Sequence, residues 1–330
     1  MRHDTWVAHG GKAGRLLTKE NIERDFPGTE ARRMTLAEFE AYERRIEYWD
    51  GDSELVAEVR EPTSGAHNTP VESLAALAAL ISAVRGAPIR TFGSVSLVVR
   101  DASNVMRRAL EADQTVYLHP GSAHMPVDGL LTVGEHDYPD VVLEVDHTTD
   151  ARRRKLGLYE EWGFPEVWIH VPDVRTPSRP RGRLPGLSIH VLRDGEFRHV
   201  SASSAFHGWQ ADSIHRALNE PERSPETVAD LKRVAAALGA QGGTGPDDDL
   251  LLGAQRRQAY EAGEREGRVE GWAQVIGMML AERGIETSPT LRTELAQHAG
   301  LDRATVVRAA LACRDIDDFR ERLGRPGGTG

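Results

Sequence analysis

A short apolar run with carboxylates along one side is the feature of this sequence best suited to chemistry. Val141–Val145 is apolar and β-branched and is entered through Pro139-Asp140, which predicts a buried strand. Because alternate residues of a strand share a face, Asp140, Glu144 and Asp146 point to one side. Burial of unpaired carboxylates costs several kcal/mol, so we expect a cation opposite them.

The segment that follows supplies such a cation. Thr148-Thr149 or Asp150 is suited to cap a helix that ends at Gly163. Lys155 lies on this helix, and we expect it to reach back over the strand and contact Glu144. That contact has two interpretations: part of a catalytic site, or a buried ion pair that only holds the helix to the sheet.

After the helix the chain returns to the sheet. Glu166–Val171 predicts the next strand, so this span forms a strand–helix–strand unit with parallel strands and a right-handed crossover. Tyr159, one turn after Lys155, is expected to reach the same strand end.

Three consecutive arginines, Arg152, Arg153 and Arg154, precede Lys155. Their simplest interpretation is a solvated helix face. The same residues lie beside the expected carboxylates, where they would contact phosphate groups and position a nucleic acid without reading its base sequence.

The stretch 138–170 also carries an ordered set of residue types. Its members are Pro139, Asp140, Glu144, Val145, Lys155, Tyr159, Gly163, Glu166, Trp168 and Ile169. In order and spacing this set resembles the Uma-two family of restriction-endonuclease-like proteins, within the PD-(D/E)XK nuclease superfamily. The resemblance covers roughly half the chain and implies an α/β, restriction-endonuclease-like fold: a mixed central sheet flanked by helices, here followed by a C-terminal α-helical module.

The resemblance implies the site residues as well. It places Asp113 and Glu144 as metal ligands, Lys155 as the catalytic cation, and Glu47 as a further acid at the end of a helix. The supporting residues would be His67, Asp140 and Tyr159. Simpler roles stay open for three of these residues: a solvated charge for Glu47, a structural histidine for His67 and a turn residue for Asp140.

Three features depart from the family pattern. Ala112 stands where a proline usually precedes the first aspartate. Glu144-Val145-Asp146 replaces the Glu-x-Lys of the wider superfamily, so the lysine would come from the helix. His147-Thr148-Thr149 replaces the usual Ser-Pro.

Phosphodiester hydrolysis explains why these residue types would be needed together. Mg²⁺ or Mn²⁺ prefers oxygen ligands, which Asp113, Glu144 and the Val145 carbonyl would provide. Lys155 would orient water or stabilise negative charge on the phosphate, and Glu47 would bind a second metal or a water. The expected function is metal-dependent cleavage of nucleic acid, of DNA rather than RNA. The alternative is a catalytically inactive nuclease-fold binding or scaffolding protein.

The composition excludes several classes of protein and of binding site. The 330 residues include 41 basic and 51 acidic ones, a net charge of −10, which excludes a protein that coats nucleic acid non-specifically. The single cysteine, Cys313, excludes an intrachain disulfide framework and a cysteine-type zinc site. With no leader and no apolar run of about 18 residues, we expect a cytoplasmic protein without membrane attachment.

Patterning along the chain predicts its organisation. The expected segments are a poorly ordered arm with a short helix near Lys19–Asp25 (1–33), the endonuclease-like domain (34–210), accessory helices (211–238), a linker (239–249), a long helix with a helical module (250–324) and a disordered tail (325–330). A capping box at Thr35 and Glu38 starts a helix expected to run to Trp49. Further expected elements are a helix at 71–84, strands at 55–59, 94–99 and 113–118, and a hairpin at 187–200.

The long C-terminal helix carries Gly263, Gly267 and Gly271 on one face. Each glycine costs a helix up to about 1 kcal/mol, which a close helix–helix contact would offset. We therefore expect homo-oligomerisation through the C-terminal helices, with a charged low-complexity spacer as the alternative.

Overall fold

The computed structural model describes residues 17–60, 65–126, 129–146, 149–175, 179, 182–287, 290, 293–295 and 303–324. The chain divides into two units, 1–249 and 250–330. The mixed α/β class expected from the sequence is confirmed, including the C-terminal helices.

The first unit is built on one open sheet of ten strands among the described residues. The strands are β1 (Thr29–Arg33), β2 (Ile46–Asp50), β3 (Leu55–Val59), β4 (Arg90–Arg100), β5 (Met106–Tyr117), β6 (Leu130–Thr132), β7 (Val141–Val145), β8 (Glu166–Val171), β9 (Gly186–Arg193) and β10 (Glu196–Val200). Their main order is β1-β3-β2-β5-β7-β8-β9-β10. Strand β4 lies off this path and pairs with β5 on one edge and with β6 on the other. The sheet is mostly antiparallel, with β4–β6 and β7–β8 parallel.

Helices cover both faces of this sheet. They are α1 (Lys19–Asp25), α2 (Leu36–Glu40), α3 (Gly65–Arg85), α4 (Lys155–Trp162), α5 (Ala211–Asn219) and α6 (Pro225–Gly242), followed by a 3₁₀ turn at Pro246–Asp248. Val141, Leu143 and Val145 of β7 pack into a core shared with α3, α5 and α6. Val142 packs on the opposite face, in the core that contains α4.

The long strand β5 organises the centre of the sheet. Along one edge it pairs with β4 over nearly its whole length. Its other edge pairs with β2 at residues 108–110 and with β7 at residues 114–116. Because a strand has two edges, β2 and β7 lie end to end along the same edge of β5. The seam between them falls at residues 111–113.

The start of the first unit differs from expectation in two ways. Thr29–Arg33, assigned to a poorly ordered arm, is a strand paired with β3. The helix that starts at the Thr35–Glu38 capping box ends at Glu40, and Ile46–Asp50 is a strand. Tyr48 and Trp49 pack in different cores, as neighbours in a strand buried on both faces must, and such a run is easily mistaken for helical spacing.

Two of the expected boundaries after residue 210 also differ from the structure. Helices α5 and α6 are not accessories, because their apolar residues complete the core on one face of the sheet. The expected linker begins inside α6, which continues to Gly242. The hydroxyl of Thr244 then donates to the Arg85 carbonyl at 2.7 Å, and its amide donates to the Gly239 carbonyl at 2.9 Å.

The second unit is helical in its described part. It contains α7 (Leu252–Glu282), α8 (Arg303–Ala312) and α9 (Ile316–Gly324), close to the expected bounds. Their apolar side chains form one core, which includes Ile276, Leu280, Val306, Ala310 and Phe319. Part of the expected helical module and the expected tail, 325–330, lie outside the described residues. In the part of the chain that is described, no helix has the length and apolar character to cross a membrane.

Candidate active site

The seam between β2 and β7 brings acidic residues from three strands together. Glu47 lies near the start of β2, and Glu144 lies near the end of β7. Extending the two antiparallel registers by one pair sets Glu47 opposite Glu111 and Glu144 opposite Asp113. Backbone pairing of the strands is therefore enough to bring these carboxylates close together.

Lys155 reaches into this seam from the first turn of α4. Its ammonium donates to Glu144 Oε2 at 2.6 Å and to Glu47 Oε2 at 2.7 Å. The expected contact between Lys155 and Glu144 is therefore confirmed. All three side chains are buried, Lys155 with 1% of its surface exposed. Tyr159, one turn further along α4, donates its hydroxyl to Glu144 Oε1.

Asp113 is tied to both neighbouring strands and to α3. Its Oδ2 accepts the Val145 amide at 2.7 Å, which fixes the carboxylate beside the end of β7. Its Oδ1 accepts from the Arg45 guanidinium and lies 3.2 Å from Nε2 of the buried His67. His67 thus lies where it supports an acid, one of the roles expected from the sequence.

Burial and charge set the protonation of this cluster. Burial raises the pKa of Glu144 well above its usual range; Lys155 opposes the rise, and Asp113 and Glu47 add to it. Burial opposes the charge of Lys155, but Glu144 and Glu47 outweigh it and raise the Lys155 pKa. Burial likewise opposes ionisation of Asp113, yet Arg45 and His67 hold its pKa below the usual range. The two carboxyl groups therefore favour the charged form of Lys155.

The donor set fits a hard metal ion by chemistry. Glu47, Asp113 and Glu144 supply carboxylate oxygens, and Glu47 Oε1 is buried without a hydrogen-bond partner among the described residues. Within that part of the chain, no three acidic, histidine or cysteine side chains converge as metal ligands do. Lys155 and Arg45 lie among the acids and bind the oxygens that a metal would use.

The structure does not bring Asp140 to this site. Its Oδ2 accepts the Leu118 amide at 2.6 Å, at the opposite end of β7 from Glu144. This contact fits the alternative role of a turn residue, because the carboxylate ties the start of β7 to the end of β5.

The three arginines lie before α4 rather than on it. The helix starts at Lys155, and residues 151–154 form a turn held by Asp146, which accepts the Ala151 amide at 2.8 Å. Arg152, Arg153 and Arg154 are exposed. Arg152 pairs with Asp150 at 3.0 Å and Arg154 with Glu161 at 3.6 Å. They keep the accessibility that phosphate contacts require.

Asp146 and Arg183 form a second buried cluster beside the site. Its Oδ2 lies 3.8 Å from the buried Arg183, whose guanidinium also contacts Asp150 at 2.7 Å. Burial raises the pKa of Asp146 to about 7, against the Ala151 amide and Arg183, which lower it. Arg183 therefore holds its loop against the end of β7.

Sequence reasoning missed two members of the cluster. Glu111 accepts the Ile46 amide at 3.2 Å and stands two residues before Asp113, so strand alternation indicates that both side chains share a face. Arg45 carries no such signal, since nothing in the sequence distinguishes it from the adjacent Arg44.

Compared with models of protein families, the chain matches none, and no curated protein matches its sequence.

Proposed function

We propose that this protein is a metal-dependent endonuclease that hydrolyses phosphodiester bonds of nucleic acid, DNA rather than RNA. The observation that carries the proposal is a cluster of buried side chains at the seam between β2 and β7. It contains Glu47, Asp113, Glu144 and Lys155. Acids on neighbouring strands beside one lysine are the residue types that phosphoryl chemistry requires.

We also propose that the first unit has a restriction-endonuclease-like fold. Parallel β7 and β8 joined through α4, with antiparallel strands on either side, support it. The site residues lie on β2, β5, β7 and α4, at the centre of this arrangement.

Asp113 and Glu144 would hold Mg²⁺ or Mn²⁺, with the Val145 carbonyl as a further oxygen and Glu47 beside them. When bound, such an ion polarises the phosphate and lowers the pKa of water. Lys155 places a fixed positive charge next to Glu144, where it would stabilise negative charge developing on the phosphate. Tyr159 and His67 hold Glu144 and Asp113 in place.

The exposed arginines before α4 support nucleic acid as the substrate. Arg152, Arg153 and Arg154 directly precede Lys155 in the chain, so backbone phosphates bound by them would lie close to the carboxylates. Because the whole chain is acidic at −10, this local rim would carry the attraction.

A cleavage assay tests the proposal. The full chain is incubated with plasmid DNA, single-stranded DNA and RNA, with Mg²⁺, Mn²⁺ or a chelator. We expect metal-dependent cleavage that falls by about 100-fold or more in Glu144→Gln and in Asp113→Asn. The matched control is Glu196→Gln on β10, where the carboxylate is 66% exposed and pairs with Arg198. Absence of cleavage by the folded wild type on every substrate contradicts the proposal.

One observation favours a second candidate, a nuclease-fold scaffold without catalysis. Lys155 bridges Glu47 and Glu144, so these two acids already have a shared counter-ion that joins helix to sheet. A scaffold predicts that Glu144→Gln changes stability but that neither wild type nor variant binds a divalent metal. Calorimetric titration with Mn²⁺ separates the two functions.

A further inference from the structure

Arg45 is a half-buried cation at the mouth of the acidic cluster. It lies just before β2, in the short connection after α2, and 20% of its side chain is exposed. The guanidinium binds Asp113 Oδ1 and lies 3.7 Å from Glu47 Oε1. Its guanidinium is therefore partly open to solvent, whereas Lys155 is enclosed.

The position next to Arg45 is rich in carboxyl groups and holds an unpaired acceptor. Arg45 binds Asp113 and lies near Glu47, while Lys155 binds Glu47 and Glu144. Glu47 Oε1, the oxygen nearest Arg45, has no hydrogen-bond partner among the described residues although it is buried. A guanidinium held near such an oxygen without bonding to it leaves an acceptor for another cation.

We propose that Arg45 occupies the place of the divalent metal and is expelled to solvent when the metal binds Asp113 and its neighbouring carboxylates. The inference rests on the metal-dependent function proposed above and deepens it. Replacement of a single charge by a divalent ion adds one positive charge to a cluster rich in carboxylates. A flexible arginine at the surface loses little when released, because its head returns to water.

The exchange assigns Arg45 the role of a positioning residue. Without metal its guanidinium binds Asp113 and lies near Glu47, so it opposes repulsion between these two carboxyl groups. With metal its departure frees Asp113 Oδ1. Arg45 therefore sets how much metal the site requires, since ion and guanidinium compete for the same oxygen.

Metal binding by an Arg45→Gln variant tests this inference. Mn²⁺ affinity is measured by calorimetry on the full chain, together with the rise in melting temperature that Mn²⁺ causes. We expect Arg45→Gln to bind Mn²⁺ at least about tenfold more tightly than wild type, since a competing charge has been removed. Its melting temperature without metal should be lower, and Mn²⁺ should raise it further than in wild type.

Two variants serve as controls. Arg44→Gln is the matched change, because Arg44 is 80% exposed and contacts Glu58 rather than Asp113, and it should bind Mn²⁺ as wild type does. Arg45→Lys keeps the competing charge and should stay near wild type. If Arg45→Gln unfolds without metal, refolding on addition of Mn²⁺ supports the exchange, and failure to refold overturns it.

The outcomes separate this inference from the proposed function. Wild type that binds Mn²⁺ while Arg45→Gln binds it no more tightly overturns the exchange and leaves the metal-dependent function standing. Absence of Mn²⁺ binding by both folded proteins overturns the two together.

Discussion

Lys155 is a fully buried cation held by two carboxylates from different strands. The contact ties α4 to β7 and, across the seam, to β2. Such a group is costly to place in a protein interior, and its removal leaves its partners without a counter-ion. Stability and any catalytic role therefore depend on the same side chain.

We expect Lys155→Met to lower the free energy of unfolding by about 3–5 kcal/mol, because Glu47 and Glu144 lose the buried counter-ion that they share. Urea denaturation followed by circular dichroism measures the change. Lys232→Met, at an exposed position of α6, is the matched control and should cost little. Adding Glu144→Gln to Lys155→Met should recover part of the loss, and strict additivity of the two changes would contradict the coupling.

At the scale of elements, a histidine pair joins β8 to α5. His170 of β8 is fully buried, and its Nδ1 lies 3.3 Å from Nδ1 of His215. His215 Nε2 lies 3.0 Å from Asp173. Burial, and then the neighbouring His215, lower the pKa of His170 to about 3. This packing requires a neutral His170.

Acid should therefore weaken the contact between β8 and α5. The unfolded chain binds a proton at His170 near pH 6.5 and the folded chain only near 3, so the unfolded state holds more protons between these values. Stability is full above pH 6.5 and falls as the pH drops below it, by up to about 1.4 kcal/mol per pH unit. Other groups contribute to acid unfolding as well, so the comparison must be with variants.

Urea denaturation from pH 7 to pH 5 measures this dependence. In His170→Gln the slope of unfolding free energy against pH should fall by the contribution of up to one bound proton. His207→Gln removes an exposed histidine outside this pair, one that contacts Gln241, and should leave the slope unchanged. Equal slopes in wild type and His170→Gln would contradict a neutral buried histidine.

At the scale of the whole molecule, the chain consists of two units with separate cores. The second unit leaves the glycine face of α7 open: no described atom lies within 4 Å of a Cβ built at Gly263, Gly267 or Gly271. Beside it lies a groove of about 310 Å³ lined by Gly267, Gly271, Trp272, Val306 and others. These features support the proposal that the C-terminal helices self-associate.

We expect the full chain to show a mass that rises with concentration in sedimentation equilibrium, and Gly267→Leu to reduce it. Leucine favours the helix by roughly 1 kcal/mol over glycine, so lost association would come from the blocked close approach. Ala262→Leu adds bulk at an exposed position on the other side of α7 and should not change the mass. A monomeric wild type, or equal masses throughout, contradicts self-association.

The sequence by itself determined the elements whose signals are local. The capping box at Thr35, the Asp194-Gly195 hairpin, β3 and the β7–α4–β8 unit were all predictable, because turn chemistry and apolar periodicity act over a few residues. One face of β7 is apolar and the other carries carboxylates. This difference predicted a buried Glu144 and its lysine partner, since a buried charge requires a nearby counter-charge.

Tertiary structure alone decided the features that depend on pairing between strands distant in the sequence. Strand β5 sets β2 and β7 end to end, and this brings Glu47 to Lys155 across 108 residues of sequence. The same pairing made β2 a strand, because burial on both faces overrides helical spacing. Arg45 joined the cluster for this reason too: its neighbours in sequence say nothing about a carboxylate on β5.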